Sequence, residues 1–352
     1  MDPHANAVSE KGKELLKFIS RTPYRPLWLR LLAAPGLFAL FPLTVLALKL
    51  NASSVRENAV KTGVSNTAIG VASSRFICHS LGLINDPYAW YLLTWKHRIP
   101  AIFLYFQLLL FGNVFLLNLG NRRQNFFEML ISRTIFFDSV VENSKLKQYV
   151  ILGAGFDCRG HRLNLPPDCK IFEVDAPLTQ KSKKEMVEKS ASKFPNHSKI
   201  TYVPCDFSTD DFLERLQANG FDMNTPTVFT LEGVSRYLTW EQLSETLRKV
   251  TKCAKGSLLA FNVSIDNWST PEKRAKYKDS QQALEWVAKI GEPVKFGMDE
   301  DKDTPASKFL PLGFSSVEAW LGPEEMKRRY FPKDTFLNLG NNIEIHLVVL
   351  KV

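Results

Sequence analysis

Three carboxylates in this chain each close an apolar run, and a glycine pair precedes them. The stretch Tyr149-Val-Ile-Leu-Gly153-Ala-Gly155-Phe-Asp157 ends its apolar residues in a Gly-x-Gly turn. Asp175 ends Lys170-Ile-Phe-Glu-Val-Asp twenty residues after Gly155, Asp206 follows Thr201-Tyr-Val-Pro-Cys, and Glu232 ends Pro226-Thr-Val-Phe-Thr-Leu-Glu. Glycines let a backbone approach a ligand closely, and an acid at the spacing of Asp175 can accept hydrogen bonds from a ribose diol. One such acid is ordinarily a helix cap or a solvated loop residue. Three in register behind one glycine turn favour a shared crevice.

Apolar runs of this length, separated by helical stretches from about Lys147 onward, predict a doubly wound α/β fold. In such a sheet the carboxyl ends of the strands line one crevice, which is where ligands bind. Two ligand classes use the Gly-x-Gly geometry, dinucleotides and S-adenosylmethionine. Cys158 stands where the dinucleotide fingerprint has its third glycine, which disfavours a nicotinamide-dependent oxidoreductase. Gly313 to Trp320 and Ile343 to Val352 read as two late strands, joined by a helix near Pro323 to Arg329.

The ordered set Gly-Ala-Gly-Phe-Asp, Phe-Glu-Val-Asp-Ala-Pro, Cys-Asp-Phe and Leu-Glu-Gly-Val-Ser-Arg-Tyr-Leu resembles the leucine carboxyl methyltransferase family. Ser74-Arg75-Phe76 with Asn85-Asp86-Pro87-Tyr88, and Ser132-Arg133-Thr134 with Asp138, extend the resemblance, which covers about residues 70 to 352. It implies a class I, Rossmann-like methyltransferase fold with S-adenosylmethionine as cofactor, an N-terminal helical lid, and a last strand inserted antiparallel beside the sixth. By that resemblance Gly153 and Gly155 pass beneath the methionine part and Asp175 takes the ribose hydroxyls. Asp206 and the backbone of Phe207 meet the adenine, and Glu232 faces the amino end. Arg75 and Arg133 would pair with a carboxylate of cofactor or substrate. The chain has Ser74 where protein-methylating members have lysine, and Gly233 where they have cysteine after the strand-end acid, as in bacterial relatives. Both differences weaken the case for a phosphatase C-terminus as substrate.

Regions of distinct composition divide the chain into a basic polar N-terminus (1–25), an apolar segment (26–50), a helical lid segment (54–145) and the methyltransferase domain (146–352). Leu31 to Leu48 carries no charge and is long enough to be weighed as a membrane span. Pro35, Gly36 and Pro42 argue against a straight spanning helix, so a kinked hairpin or interfacial segment is expected, with the catalytic domain facing the cytosol. A cytoplasmic protein is the alternative. The charge-free run Ile99 to Asn121 is expected to be a buried lid helix, since Gln107, Gly112, Asn113 and Asn118 suit lipid poorly. The net charge of +9 permits contact with anionic lipid or acidic proteins. The lysines are scattered, so no nucleic-acid partner is expected. Lys181, Lys183, Lys184 and Lys189 read as one solvated helix face. Cys78, Cys158, Cys169, Cys205 and Cys253 lack metal-type spacing, so a reduced compartment with buried thiols and no metal site is expected. The sequence leaves the oligomeric state open.

Methyl transfer from a sulfonium is mainly a matter of positioning, and a carboxylate acceptor needs no general base at neutral pH. The reading is therefore an S-adenosylmethionine-dependent O-methyltransferase acting on a carboxylate of a small molecule or a protein terminus. A membrane-tethered binding module without turnover is the alternative. Tyr237 and Arg75 are the candidates for a catalytic role. His79, His97, His161 and His346 read as structural or solvated.

Overall fold

A computed structural model describes residues 65–111, 121–194, 197–207, 209–266, 268–276, 292–331 and 345–352, with a few isolated positions besides. The basic terminus and the apolar segment 26–50 lie outside the described residues, apart from Pro35. The chain divides into two compact units, residues 1–135 with 326–343, and residues 136–325 with 344–352.

The described part of the first unit is helical. Helix α1 (Asn66–Ser80) starts where the Ser65 hydroxyl accepts the Ala68 N–H, which satisfies one of the orphan donors of a helix start. Helix α2 (Trp95–Phe111) carries Pro100 inside its first turns. Helix α3 (Asn121–Ser144) leads toward the sheet. Two upstream motifs meet in this unit. Arg75 on α1 is buried with its Nη1 3.8 Å from Asp86 Oδ2, and the Asp86 N–H donates to His79 Nδ1 at 3.3 Å. The Phe76 and Trp90 rings lie 4.8 Å apart beside them. The expectation that Ile99 to Asn121 is a buried lid helix is corrected for its described part. Ile99, Ile102 and Phe106 are exposed, because they fall on the face of α2 opposite to buried Ala101.

The second unit is a seven-stranded sheet of β1 (Gln148–Leu152), β2 (Lys170–Asp175), β3 (Ile200–Pro204), β4 (Thr227–Leu231), β5 (Leu258–Ser264), β6 (Ser316–Leu321) and β7 (Ile345–Lys351). The order is β3-β2-β1-β4-β5-β7-β6. Strands β1 to β5 run parallel, and β7 pairs antiparallel with both β5 and β6. The last strand thus slots between the fifth and sixth. Every residue of β1 and β4 is buried, as parallel strands covered on both faces require. That explains why both read as unbroken apolar runs. Helices α4 (Arg159–Arg162), α5 (Pro177–Lys189), α6 (Phe212–Ala218) and α7 (Trp240–Val250) belong to the crossovers. Asp211 caps α6 through the Leu213 and Glu214 N–H groups, and Thr239 with Gln242 forms a capping box on α7.

Lys183 on α5 corrects the reading of a solvated lysine face. Its side chain is fully buried, and Nζ donates to the Asp157 carbonyl and to Glu173 Oε2. Lys181, Lys184 and Lys189 stay exposed. Spacing within one helix cannot reveal an acid on the neighbouring strand. All five cysteines are free and buried. Among the described residues no helix is long and apolar enough to cross a membrane.

Candidate active site

The strand order reverses between β1 and β4, and the loops leaving those two strands build the site. After β1 the chain turns sharply at Gly153 (φ 69°) and Gly155 (φ 47°), in the left-handed region that glycine tolerates. A Cβ on Gly153 would stand 2.3 Å from Val234 Cγ2, so the turn after β1 and the loop after β4 approach as only glycine allows. Gly233 (φ 76°) shapes that second loop, and its N–H donates to Asn262 Oδ1 on β5 at 2.6 Å. The Ser235 hydroxyl donates to the Asn262 carbonyl. One asparagine therefore fixes the loop that presents Glu232.

Asp175 closes β2 beside the turn. Its Oδ2 accepts the Gly155 N–H and its Oδ1 accepts the Ala176 N–H at 2.6 Å. Burial raises its pKa, and those two backbone donors oppose the rise. The Asp175 carbonyl accepts the Cys205 N–H, which places Asp206 on the adjoining strand end. Asp206 is exposed there, and Phe207 packs 6.1 Å from the Phe212 ring.

Glu232 is held by a cation absent from the sequence reading of the site. Arg159 is fully buried one turn past the glycines. Its Nη1 meets Glu232 Oε2 and donates to Asp157 Oδ2 at 2.5 Å, while Nε donates to Asp138 Oδ1 at 2.7 Å. Arg162 adds two donations to Asp138 at 2.6 Å. Burial opposes the charge on Arg159, but Asp157, Glu232 and Asp138 together hold its pKa well above the ordinary value. The signal for Arg159 lay in the run Gly-Ala-Gly-Phe-Asp-Cys-Arg, two residues past Asp157.

The structure brings Gly153, Gly155, Asp175, Asp206, Phe207 and Glu232 to one end of the sheet. Tyr237 is half-buried at the end of a short 3-10 turn, Ser235–Tyr237, on the same loop. Arg75 and Arg133 belong to the other unit, both buried, Arg75 against Asp86. His161 sits 4.7 Å from the Phe194 ring, and His346 stacks on Trp320 at 4.2 Å and meets Glu300 at 2.7 Å.

The family model described as leucine carboxyl methyltransferase matches residues 68–251, just over half of the chain and all of the crevice from Gly153 to Glu232. The chain belongs to the leucine carboxyl methyltransferase family. Its α/β sheet with the inserted antiparallel strand is the methyltransferase fold. A relative from Mycolicibacterium paratuberculosis, named for S-adenosyl-L-methionine-dependent methyl transfer, is 27% identical over 236 residues, covering 65% of this chain and 74% of its own. Bacillus subtilis YktD, named for the same chemistry, is 32% identical over 171 residues, covering 47% and 54%. A solved structure from Streptomyces avermitilis aligns with a TM-score of 0.49 at 13% identity, covering 83% of this chain and 99% of its own.

Proposed function

We propose that this member of the family is an S-adenosylmethionine-dependent O-methyltransferase whose acceptor is a carboxylate. The cofactor is S-adenosylmethionine, which supplies a methyl group on a positively charged sulfur. The observation that carries the reading is the site at the β1–β4 switch point: a backbone turn only glycine allows, flanked by Asp175, Asp206 and the Glu232–Arg159 cluster.

The residues fit that cofactor on their chemistry. Gly153 and Gly155 both hold positive φ, which lets the backbone turn under a ligand without a side chain in the way. Asp175 keeps lone pairs beyond its two backbone donors and would accept from the ribose diol. Asp206 would accept from the adenine amino group. Glu232, held by Arg159, would face the amino group.

For the acceptor, the crevice displays no evident base among its described acids and histidines, and a carboxylate is already ionised at neutral pH. Catalysis then reduces to aligning nucleophile, methyl and sulfur. Label transferred from methyl-labelled cofactor is expected to leave as volatile methanol under mild alkali, as methyl esters do. Alkali-stable label would overturn the ester and direct attention to Tyr237 as a base for a phenol or amine acceptor.

A further inference from the structure

Of the five large hydrophobic side chains exposed among the described residues, four lie on α2: Trp95 (68%), Ile99 (56%), Ile102 (37%) and Phe106 (49%). Their spacing of four, three and four residues puts them within an arc of about 60° on a helix. They form a stripe about 16 Å long. Buried Ala101 lies on another side of the helix, and at Ile102 and Phe106 the stripe borders a cleft toward α1. A cleft of about 380 Å³ opens beside it, lined by Phe76, Ser80, Trp90, Ile102, Tyr105 and Phe106.

The charge around this stripe selects what it meets. Residues 87–111 contain no acid, while Lys96 and Arg98 bring two cations. Lys96 is exposed with Nζ 5.9 Å from the Trp95 ring, and the Arg98 guanidinium lies 4.5 Å over Trp90. An apolar stripe headed by tryptophan, on a helix whose own charged residues are cations, matches an anionic lipid surface. Tryptophan sits at headgroup depth, and Lys96 reaches the phosphates while its stem stays on the ring.

We infer that α2 is a lipid-docking surface, lying in the headgroup region of an anionic membrane with Trp95, Ile99, Ile102 and Phe106 immersed. The adjoining aromatic cleft takes one acyl chain. This surface belongs to the helical unit and stands or falls apart from the methyl-transfer reading.

The five native cysteines are buried, so one introduced on the surface of the full-length chain can be labelled selectively. Ile99→Cys, or Phe106→Cys if the first labels poorly, is to carry an environment-sensitive fluorophore. Lys181→Cys, exposed on the other unit, serves as control. With phosphatidylcholine vesicles containing phosphatidylserine, the α2 label is expected to lose water contact and be quenched by acyl-brominated lipid, while the control stays wet. Lys96→Gln is expected to weaken that partitioning about fivefold, the value of one cation near an anionic surface. A label that remains in water while the protein floats with the vesicles would overturn the inference. So would a label already dry without vesicles, whether the protein then has twice its monomer mass, so that a second copy covers the stripe, or stays monomeric, so that another part of this chain does.

Discussion

Arg159 holds one positive charge among Asp138, Asp157 and Glu232 with no exposure to solvent. Removing one member of a buried ion-pair network strands the others, at a cost of about 3–5 kcal/mol. Arg159→Met is expected to lower stability by that amount in urea unfolding. Arg159→Lys is expected to fall between, because one ammonium cannot reach three carboxylates with the geometry of a guanidinium. Asp175 has a different kind of role. Asp175→Ala is expected to weaken S-adenosylmethionine binding by about 1.5–3 kcal/mol in calorimetry, the scale of lost charge-assisted hydrogen bonds. Asp175→Asn should lie between the two, keeping an acceptor for one backbone N–H but losing the charge. Asp175, Asp206 and Glu232 were legible in the sequence because each ends an apolar run. Arg159 was not, because a buried cation looks like a surface one until Asp138 on α3 and Glu232 just past β4 are assembled around it.

At the scale of elements, the turn after β1 and the loop after β4 are made to touch. Gly153→Ala meets two penalties, a left-handed φ of 69° and the 2.3 Å approach to Val234 Cγ2. The backbone part costs about 1–2 kcal/mol. The steric part adds to it, since backbone and a branched side chain cannot both give way. Thermal unfolding should find Gly153→Ala rescued in part, but not fully, by adding Val234→Ala. Gly220→Ala serves as comparison, with φ 88° and nothing near its Cβ, and should lose only the backbone part. Strands β1 to β4 and their crossovers followed from runs and spacing, and β6 and β7 from the late strand pattern. Strand β5, Leu258–Ser264, ends in no acid and carries no motif, yet its Asn262 is what anchors the Glu232 loop. A role that consists of holding a neighbouring loop is written in tertiary contacts and leaves no local signature.

For the whole molecule, pH dependence follows from what is buried. Burial pushes the Glu173 carboxyl from its ordinary 4.5 up to about 7, against the opposing pull of Lys183. A carboxyl with a raised folded-state pKa contributes stability below about pH 4.5 and loses it as pH rises through about 7. The difference in unfolding free energy between Glu173→Gln and the parent chain is therefore expected to shift in favour of the variant across that window. It should be flat outside the window. A difference that does not vary with pH would show that Glu173 keeps an ordinary pKa.

The position of β7 between β5 and β6 has a consequence for biosynthesis. On the ribosome, β1 to β5 can pair as they emerge, but β5 then waits with an open edge through the synthesis of everything up to Ile345. That edge, rich in phenylalanine, valine and leucine, is the kind of template on which nascent chains associate wrongly. Sealing it is the job of the strand made after all the others, so the sheet cannot close in the order in which it is translated.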